Sequence, residues 1–283
     1  MVGHMEYRNE KARQRYDAVV AVAPEVVVGL DFDGTLSPIV DDPRQALIHP
    51  EAPETLGALA AEVQAVVVIT GRPARQVVEL GHLEQLADSL PDGARLSVMG
   101  QYGHERWDSS SREFSSPEPP PGLQAFRDEL PALLAAQDAS DALVEEKGLA
   151  VAVHTRGLPH AKQTFLRLED TLEEAADRHG LTLEPGRLVL EVRAPGMHKG
   201  LAVRAAIEEH HGRGVVFVGD DLGDLEAFEA VRSLRIGGLP ALLVCSSSDE
   251  QEALAGLADV VVPGPSGVVE LLTTFIADVA AAH

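Results

Sequence analysis

The stretch Val26–Thr35 reads VVVGLDFDGT, a short apolar run that ends in two acids separated by one residue. Such a run, bounded by polar residues and glycine, is typical of a buried parallel strand. Residues two apart in an extended segment share a face, so we expect Asp31 and Asp33 to point toward one pocket. Gly34 permits a sharp turn directly after them because it has no Cβ. The stretch predicts a strand that delivers two carboxylates at its carboxyl end.

Four further apolar runs end abruptly in small or polar residues, at 65–69, 95–99, 214–218 and 241–245. Segments with helical periodicity lie between the runs, at 53–63, 74–90, 199–212 and 224–231. Alternating strands and helices of this kind indicate parallel strands joined by right-handed crossovers. The sequence therefore predicts an α/β fold with a doubly wound parallel sheet, a Rossmann-like core.

Residues 109–195 differ in character from the rest of the chain. They open with the Ser- and Pro-rich stretch 109–122, which is typical of a loop or linker. After it we predict a helix that Pro131 could kink, a hairpin, a long helix, and a second hairpin that turns at Pro185-Gly186, over 122–137, 141–156, 161–179 and 181–193. These elements predict an α+β cap inserted into a catalytic core of residues 1–108 and 196–283.

The chain has 283 residues, 45% of them hydrophobic, which is enough for one large α/β domain or two unequal domains. Its formal net charge of −22 repels phosphate backbones and anionic lipids, so we expect neither nucleic acid nor a membrane as a partner. The sequence has no uncharged apolar run of the roughly 18 to 20 residues that a membrane-spanning helix needs. The single cysteine, Cys245, cannot form an internal disulfide, and we expect a cytoplasmic protein.

Polar residues follow several predicted strands at the edge where their carboxyl ends meet, and this edge is where open parallel sheets bind ligands. They are Asp31, Asp33, Thr70, Gly71, Arg72, Asp220, Asp221 and Asp224, with Lys199 at the start of a predicted helix. Two carboxylates about 4 Å apart repel by roughly 4 kcal/mol at an effective dielectric constant near 20, so such a cluster needs a cation. Oxygen ligands without a nearby Cys or His pair favour Mg²⁺ over Zn²⁺.

These residue types suit phosphoryl transfer. With a metal and Lys199 neutralising a bound phosphate, one carboxylate can attack phosphorus and the other can protonate the leaving oxygen. Asp33 suits the second role, and it could then act as a base that activates water to hydrolyse an aspartyl-phosphate. The acid pair alone could equally be a strand followed by an Asp-Gly turn. The combination with Thr70, Lys199 and Asp220 favours catalysis.

The segments DFDGTLSP, VVVITGR and VGDDLGD, together with the isolated Lys199, resemble the four motifs of the haloacid dehalogenase superfamily of phosphatases. The resemblance covers the whole predicted core. It implies that Asp31 is the nucleophile, Asp33 the general acid and base, Thr70 a phosphate ligand, and Lys199 the residue that stabilises charge.

The same resemblance implies a magnesium site. Its ligands would be the carboxylates of Asp31 and Asp220 and the backbone carbonyl of Asp33. Asp224 would support the metal, and Asp221 would lie behind the ligands. The sequence departs from the family's usual pattern directly after GDD, where it has Leu222–Glu226.

Longer segments, DFDGTLSPIVDDP, GQYGHERW, EEKGLAVAVHTR, LEVRAPGMHKG and GDDLGDLEAF, resemble the trehalose-6-phosphate phosphatase family at corresponding places. The resemblance implies that Glu145, Lys147, Arg156 and Glu191 of the cap bind the glucose hydroxyls, and that Arg72 reaches the sugar from the core. Charged ligands make physical sense because an unpaired hydroxyl in a closed pocket is costly. The implied activity is hydrolysis of trehalose 6-phosphate, and a trehalose-phosphate synthase is a candidate partner.

Other interpretations stay open. The core motifs are equally compatible with a phosphatase for another sugar phosphate, such as sucrose phosphate or mannosyl-phosphoglycerate. A catalytically silent sugar-phosphate sensor is a further alternative. Glu145 and Lys147 could be ordinary charges of a hairpin turn, and Glu191 could simply pair with Arg193 across solvent. For His198, beside Lys199, we expect a surface position.

Overall fold

The computed structural model describes residues 6–40, 42–247 and 254–282. The chain divides into two compact units, one formed by Met1–Ser116 with His198–His283 and the other by Pro117–Met197. The first boundary lies later than the predicted one because Phe114–Ser115 forms a strand that pairs with Glu105–Asp108. The stretch predicted to be a linker therefore contributes a strand to the larger unit.

Within the described residues, the strands in chain order are β1 (Glu6–Tyr7), β2 (Val26–Leu30), β3 (Ala65–Ile69), β4 (Leu96–Gly100), β5 (Glu105–Asp108), β6 (Phe114–Ser115), β7 (Leu143–Glu146), β8 (Ala150–His154), β9 (Thr182–Gly186), β10 (Val189–Arg193), β11 (Gly214–Gly219), β12 (Ala241–Ser247) and β13 (Val260–Pro263). The α-helices are α1 (Glu10–Val20), α2 (Ala52–Glu62), α3 (Ala74–Leu80), α4 (Leu83–Ser89), α5 (Pro121–Ala136), α6 (Ala161–Arg178), α7 (Lys199–Glu209), α8 (Leu225–Ile236) and α9 (Gly264–Ala282). The strands predicted from apolar runs are confirmed.

The larger unit is built on a sheet with the strand order β1-β13-β12-β11-β2-β3-β4-β5-β6. The strands from β13 to β4 are mutually parallel, and antiparallel strands extend both edges. The central strands are buried on both faces because nearly all of their residues are apolar. Val28 belongs to an apolar cluster that includes residues of α1, α2, α3, α4 and α9, whereas Val27 belongs to a separate cluster that includes residues of α7 and α8. The predicted doubly wound parallel sheet is confirmed.

The smaller unit is an antiparallel sheet in the order β7-β8-β10-β9, with α5 and α6 packed on one face. Val151, Val153, Leu190 and Val192 point into this apolar layer. The second hairpin turns at Arg187 and Leu188, because Val189 pairs with Gly186 and Leu190 with Pro185. The predicted turn at Pro185-Gly186 is therefore wrong. Pro131 lies inside α5, which continues through it.

Two helical segments differ from the expectation. The periodic stretch 74–90 is broken between α3 and α4, where Gly81 ends the first helix and His82 has a left-handed φ of 51°. In the described part of the chain, α9 is long and apolar enough to cross a membrane by length and composition, although it carries Glu270 and Asp278. Its Leu272 and Phe275 belong to the core cluster on one face of the sheet, which is typical of a core helix.

Candidate active site

The carboxyl ends of the central strands bring together residues from distant parts of the larger unit. Asp31 follows β2, and its backbone N–H donates to the carbonyl of Val218 on β11 at 2.9 Å. Thr70 follows β3, and Asp220 follows β11. Because β11, β2 and β3 are adjacent and parallel, these residues lie along one edge of the sheet. All three are buried.

Lys199 lies between two of the acids. Its Nζ is 2.6 Å from Asp31 Oδ1 and 2.7 Å from Asp224 Oδ1. The lysine side chain is only 7% exposed, so the two ion pairs are protected from solvent screening. The other oxygen of Asp224 accepts from the backbone N–H of Asp220 at 3.0 Å. Asp224 therefore holds both the lysine and the loop that carries Asp220.

Asp31, Asp220 and Asp224 form a cluster in which one carboxylate oxygen from each lies within 4.8 Å of the others. Two glycines make room for it. A Cβ at Gly34 would lie 2.1 Å from Asp220 Oδ2, and a Cβ at Gly219 would lie 2.5 Å from the Asp224 carboxyl carbon. Both positions exclude larger residues, so the glycines let the carboxylates approach the backbone closely.

Crowding and burial shift the pKa values of the groups in this cluster. Burial raises the pKa of Asp31 well above its usual range, and Asp224 and Asp33 raise it further against the opposing effect of Lys199. Burial, with the charge of Asp31 and other nearby acids, raises the pKa of Asp220 to about 10. For Lys199, burial opposes the charged form, yet Asp224 and Asp31 raise the pKa well above its ordinary value. Three buried oxygen ligands with one lysine are a donor set that suits a hard divalent cation.

Asp33 has a different partner. Its carboxylate accepts two hydrogen bonds from the Arg72 guanidinium, from Nε to Oδ2 at 2.6 Å and from Nη2 to Oδ1 at 2.7 Å. Its side chain is 39% exposed, whereas that of Arg72 is 11% exposed. Its charge is among those that raise the pKa of Asp31. Sugar binding by Arg72 and metal binding by the Asp33 carbonyl stay predictions.

The loop after β2 is held from two sides. The Gly34 N–H donates to the Ser37 carbonyl at 2.7 Å, and the Leu36 N–H donates to the Phe32 carbonyl at 2.9 Å. From β12, the buried Ser246 hydroxyl donates to the Gly34 carbonyl at 2.6 Å. The sequence analysis missed Ser246, although it follows an apolar run like the other strand-end residues. Its contact fixes the turn that follows Asp31 and Asp33.

A second support lies under Thr70. The N–H groups of Gln101 and Tyr102 donate to the carbonyls of Arg72 and Thr70, each at 2.9 Å. The Gln101 side-chain amide donates to the Gly71 carbonyl at 3.1 Å. Gln101 and Tyr102 both have left-handed backbones, with φ of 47° and 57°. A strained turn after β4 therefore braces the loop that carries Thr70 and Arg72.

In the smaller unit, the face of the sheet opposite α5 and α6 carries charged residues. Glu145 pairs with Ala152, Ala152 with Glu191, and Glu191 with Glu184, so the three acids lie in one row across the strands. Residues paired in register share a face. Glu145 and Glu191, both predicted to bind sugar hydroxyls, are thus on the same side of this sheet.

Glu191 is held between two cations. Lys147 Nζ is 2.5 Å from Glu191 Oε2, and Arg193 Nη1 is 3.0 Å from Oε1. Arg193 also contacts Glu184 Oε2 at 2.9 Å. Glu191 pairs with Arg193, as one interpretation of the sequence expected. The pair does not lie in solvent, since the two residues are 6% and 5% exposed. The network extends to Lys147 and Glu184, and the sequence analysis missed Glu184.

The remaining predicted residues differ in placement. Glu145 Oε2 is 2.9 Å from Nε2 of His154 on the neighbouring strand. Arg156 lies beyond the end of β8, is exposed, and takes no part in the contacts just described. In the larger unit, His198 is not fully exposed, and its Nδ1 is buried. Asp221 accepts from the Gly223 N–H at 2.8 Å and caps the short helical turn that precedes α8.

A family profile and several relatives match most of the chain. Residues 29–261 match the sequence profile described as Trehalose-phosphatase. The chain is 29% identical over 233 residues to the trehalose-6-phosphate phosphatase of Escherichia coli strain K12, covering 81% of this chain and 82% of that protein. It is 31% identical over 245 residues to a trehalose-phosphate phosphatase of Mycobacterium leprae, covering 83% of this chain but only 54% of that protein.

Among solved structures, the C-terminal domain of a C. albicans trehalose-6-phosphate phosphatase superposes with a TM-score of 0.74 at 16% identity, covering 97% of this chain and 99% of that one. At this identity the likeness concerns the fold. The chain spans about half the length of the M. leprae relative and most of the E. coli one. The profile, which spans most of the chain, shows the relationship. The chain belongs to the trehalose-phosphatase family.

Proposed function

We propose that this chain hydrolyses trehalose 6-phosphate to trehalose and phosphate through an aspartyl-phosphate on Asp31, as the last step of trehalose biosynthesis. The observation that carries the chemistry is the buried Lys199, which bridges Asp31 and Asp224 at the strand ends. The family and the names of both relatives support the substrate. An attacking carboxylate repels a phosphate dianion. A buried ammonium beside that carboxylate offsets the repulsion.

The bonds are made and broken by residues of the chain itself. An oxygen of Asp31 attacks phosphorus, and the bond from phosphorus to the sugar oxygen breaks. Asp33, whose two oxygens accept from Arg72 in this structure, first takes up a proton from solvent and then gives it to that oxygen, so trehalose leaves as a neutral alcohol. Asp33 then takes a proton from water, which attacks the phosphorus of the aspartyl-phosphate and frees Asp31. Lys199 and the Thr70 hydroxyl hold the phosphoryl oxygens during both steps.

We infer that the reaction depends on Mg²⁺. Asp31, Asp220 and the Asp33 carbonyl would hold the ion, and Asp224 would support it. When bound, the ion supplies a positive charge that neutralises the phosphoryl oxygens. The fit rests on the three clustered carboxylates and on the raised pKa of buried Asp220, which marks a site where ionised acids need a cation.

We propose that the smaller unit is the substrate-specificity cap. Glu191 and Lys147 of its polar face would bind glucose hydroxyls, joined by Glu145 and Arg156. The buried pairing of Glu191 with Lys147 supports this role, because the network fixes the hydrogen-bonding groups before the sugar arrives. Pre-formed ligands reduce the conformational entropy that is lost on binding.

The decisive experiment measures phosphate release from a panel of phosphate esters with and without Mg²⁺. The panel contains trehalose 6-phosphate, sucrose phosphate, mannosyl-phosphoglycerate and glucose 6-phosphate. We expect a clear preference for trehalose 6-phosphate, and equal rates across the panel would refute the assigned substrate. Chelation of divalent cations should abolish turnover, and restored turnover with Mg²⁺ identifies the ion.

Asp31→Asn tests the nucleophile. The variant should fold, because Lys199 keeps its contact with Asp224, and it should lose turnover by roughly 10³-fold or more. Glu229→Gln removes one negative charge from an exposed position of α8 and serves as the control. Tight binding of the sugar phosphate by the wild type without turnover in Mg²⁺ would instead support the sensor. We place the enzyme in the cytoplasm, in keeping with its one buried, unpaired cysteine, Cys245, with a trehalose-phosphate synthase as a candidate partner.

A further inference from the structure

Arg72 makes a two-point contact with the proposed general acid. The Nε and Nη2 atoms of Arg72 donate to the two oxygens of Asp33 at 2.6 and 2.7 Å. A planar guanidinium that bonds both oxygens of a carboxylate fixes the plane of that carboxylate as well as its position. The partly exposed Asp33 side chain would otherwise rotate among several rotamers.

Arg72 is itself held in place from three directions. Its Nη1 donates to the Pro43 carbonyl at 2.7 Å, and its guanidinium lies 5.9 Å from the centre of the Phe32 ring. Its backbone N–H donates to the Thr70 hydroxyl at 3.1 Å. The one residue therefore connects the predicted phosphate ligand Thr70 with Asp33. A group fixed this way can impose its orientation on a partner.

We propose that Arg72 is a positioning residue for Asp33, which it orients for proton transfer to the sugar oxygen and from the attacking water. The inference rests on the proposed function, in which Asp33 moves both protons. It differs from the role implied by family resemblance, in which Arg72 binds the sugar. The distinction is measurable because a positioning residue affects any ester whose leaving oxygen needs a proton, with or without a sugar.

The chemistry of the leaving group provides the test. When Asp31 attacks, the electron pair of the broken bond goes to the leaving oxygen. An alkoxide is a strong base and leaves only if Asp33 gives it a proton, whereas p-nitrophenolate is a weak base and leaves without one. Ethyl phosphate has an alkyl leaving group but no sugar hydroxyls. The effect of an Arg72 substitution on these esters therefore separates proton transfer from sugar recognition.

The experiment compares wild type, Arg72→Lys and Arg72→Ala in Mg²⁺ with trehalose 6-phosphate, ethyl phosphate and p-nitrophenyl phosphate. We expect kcat to fall by about 10²-fold for both alkyl esters, the loss typical of a reacting group displaced by about 1 Å. KM for trehalose 6-phosphate should change little. The first-turnover burst of p-nitrophenolate, which reports attack by Asp31 alone, should stay close to the wild-type rate. Added guanidinium should restore part of the lost kcat in Arg72→Ala.

Arg75→Gln is the control, since this exposed arginine lies near Arg72 in sequence and stacks on the Phe114 ring at 4.1 Å. A raised KM for trehalose 6-phosphate with unchanged hydrolysis of ethyl phosphate would overturn the proposal in favour of sugar binding. An equal loss for all three esters, including the burst, would overturn it in favour of a general structural role. If Arg72→Ala is unstable, Arg72→Lys carries the test. Ethyl phosphate contains no sugar, so its hydrolysis tests the role of Arg72 even if the enzyme prefers another sugar phosphate. Failure of the proposed substrate can therefore be distinguished from failure of this proposal.

Discussion

Replacing Gly34 with alanine tests whether activity depends on the position of the Asp220 carboxylate, separately from the stability of the fold. A Cβ at this position would lie 2.1 Å from Asp220 Oδ2 and 2.3 Å from its carboxyl carbon. Since non-bonded heavy atoms prefer about 3.5–4.0 Å, the Asp220 carboxylate must move by more than about 1 Å. A misplacement of about 1 Å in a catalytic group costs on the order of 10²-fold in rate. We expect Gly34→Ala to lose at least that much activity and to need more Mg²⁺.

The backbone conformation requires a matched control. Gly34 has a left-handed φ of +73°, in which an alanine costs roughly 1–2 kcal/mol. Gly93 has a φ of +86°, and a Cβ there would meet nothing within 4 Å. Gly93→Ala should therefore show a similar loss of stability in urea denaturation while phosphate release stays normal. If Gly34→Ala kept the activity of Gly93→Ala, the close packing of Gly34 on Asp220 would be refuted.

Two further tests concern pH and ligands. Burial lowers the pKa of His210, aided by Arg95 and Arg106 and opposed by Glu209 and Asp108, so the unfolded state takes up the proton first as pH falls below about 6.5. His210→Leu should make the free energy of unfolding depend less on pH, by up to about 1.4 kcal/mol per pH unit, whereas the exposed His211→Asn should leave that dependence unchanged. The measurement is urea denaturation at pH 7.5 and 5.5. An equal fall in unfolding free energy between the two pH values for wild type and His210→Leu would contradict this. Inorganic phosphate should raise Tm only when Mg²⁺ is present, because the site without a cation holds more acids than bases; protection in excess chelator would count against the assigned metal site.

The central parallel strands could be predicted because they are almost wholly apolar and most of them end in a polar residue, whereas the edge strands β1, β5 and β6 carry no such signal. The second hairpin could not, because Pro185-Gly186 carries a strong turn signal that the register overrides. Placing Leu190 and Val192 in the apolar layer pairs Leu190 with Pro185, and the turn then falls on Arg187 and Leu188. Burial of alternate side chains outweighed the local preference of Pro-Gly for a turn.

The grouping of Asp31, Thr70 and Asp220 could be predicted from strand ends, since adjacent parallel strands bring their carboxyl ends together. Their mutual contacts could not be predicted. The Ser246 contact with Gly34 and the Arg72 contact with Asp33 depend on strand order and on which way a long side chain turns. Sequence spacing carries neither kind of information. The supporting residues therefore emerge only when distant segments are seen together.

The negative charge of the whole molecule makes the position of its few buried cations important for binding a phosphate ester. With a formal charge of −22, the chain repels a phosphate ester at long range, so attraction has to come from cations held close to the site. Lys199 supplies one positive charge among three buried carboxylates, which leaves the cluster short of positive charge. A divalent cation would restore the balance. Because Lys147 and Arg193 are held by Glu191, their charges stay fixed at the face proposed to bind the sugar.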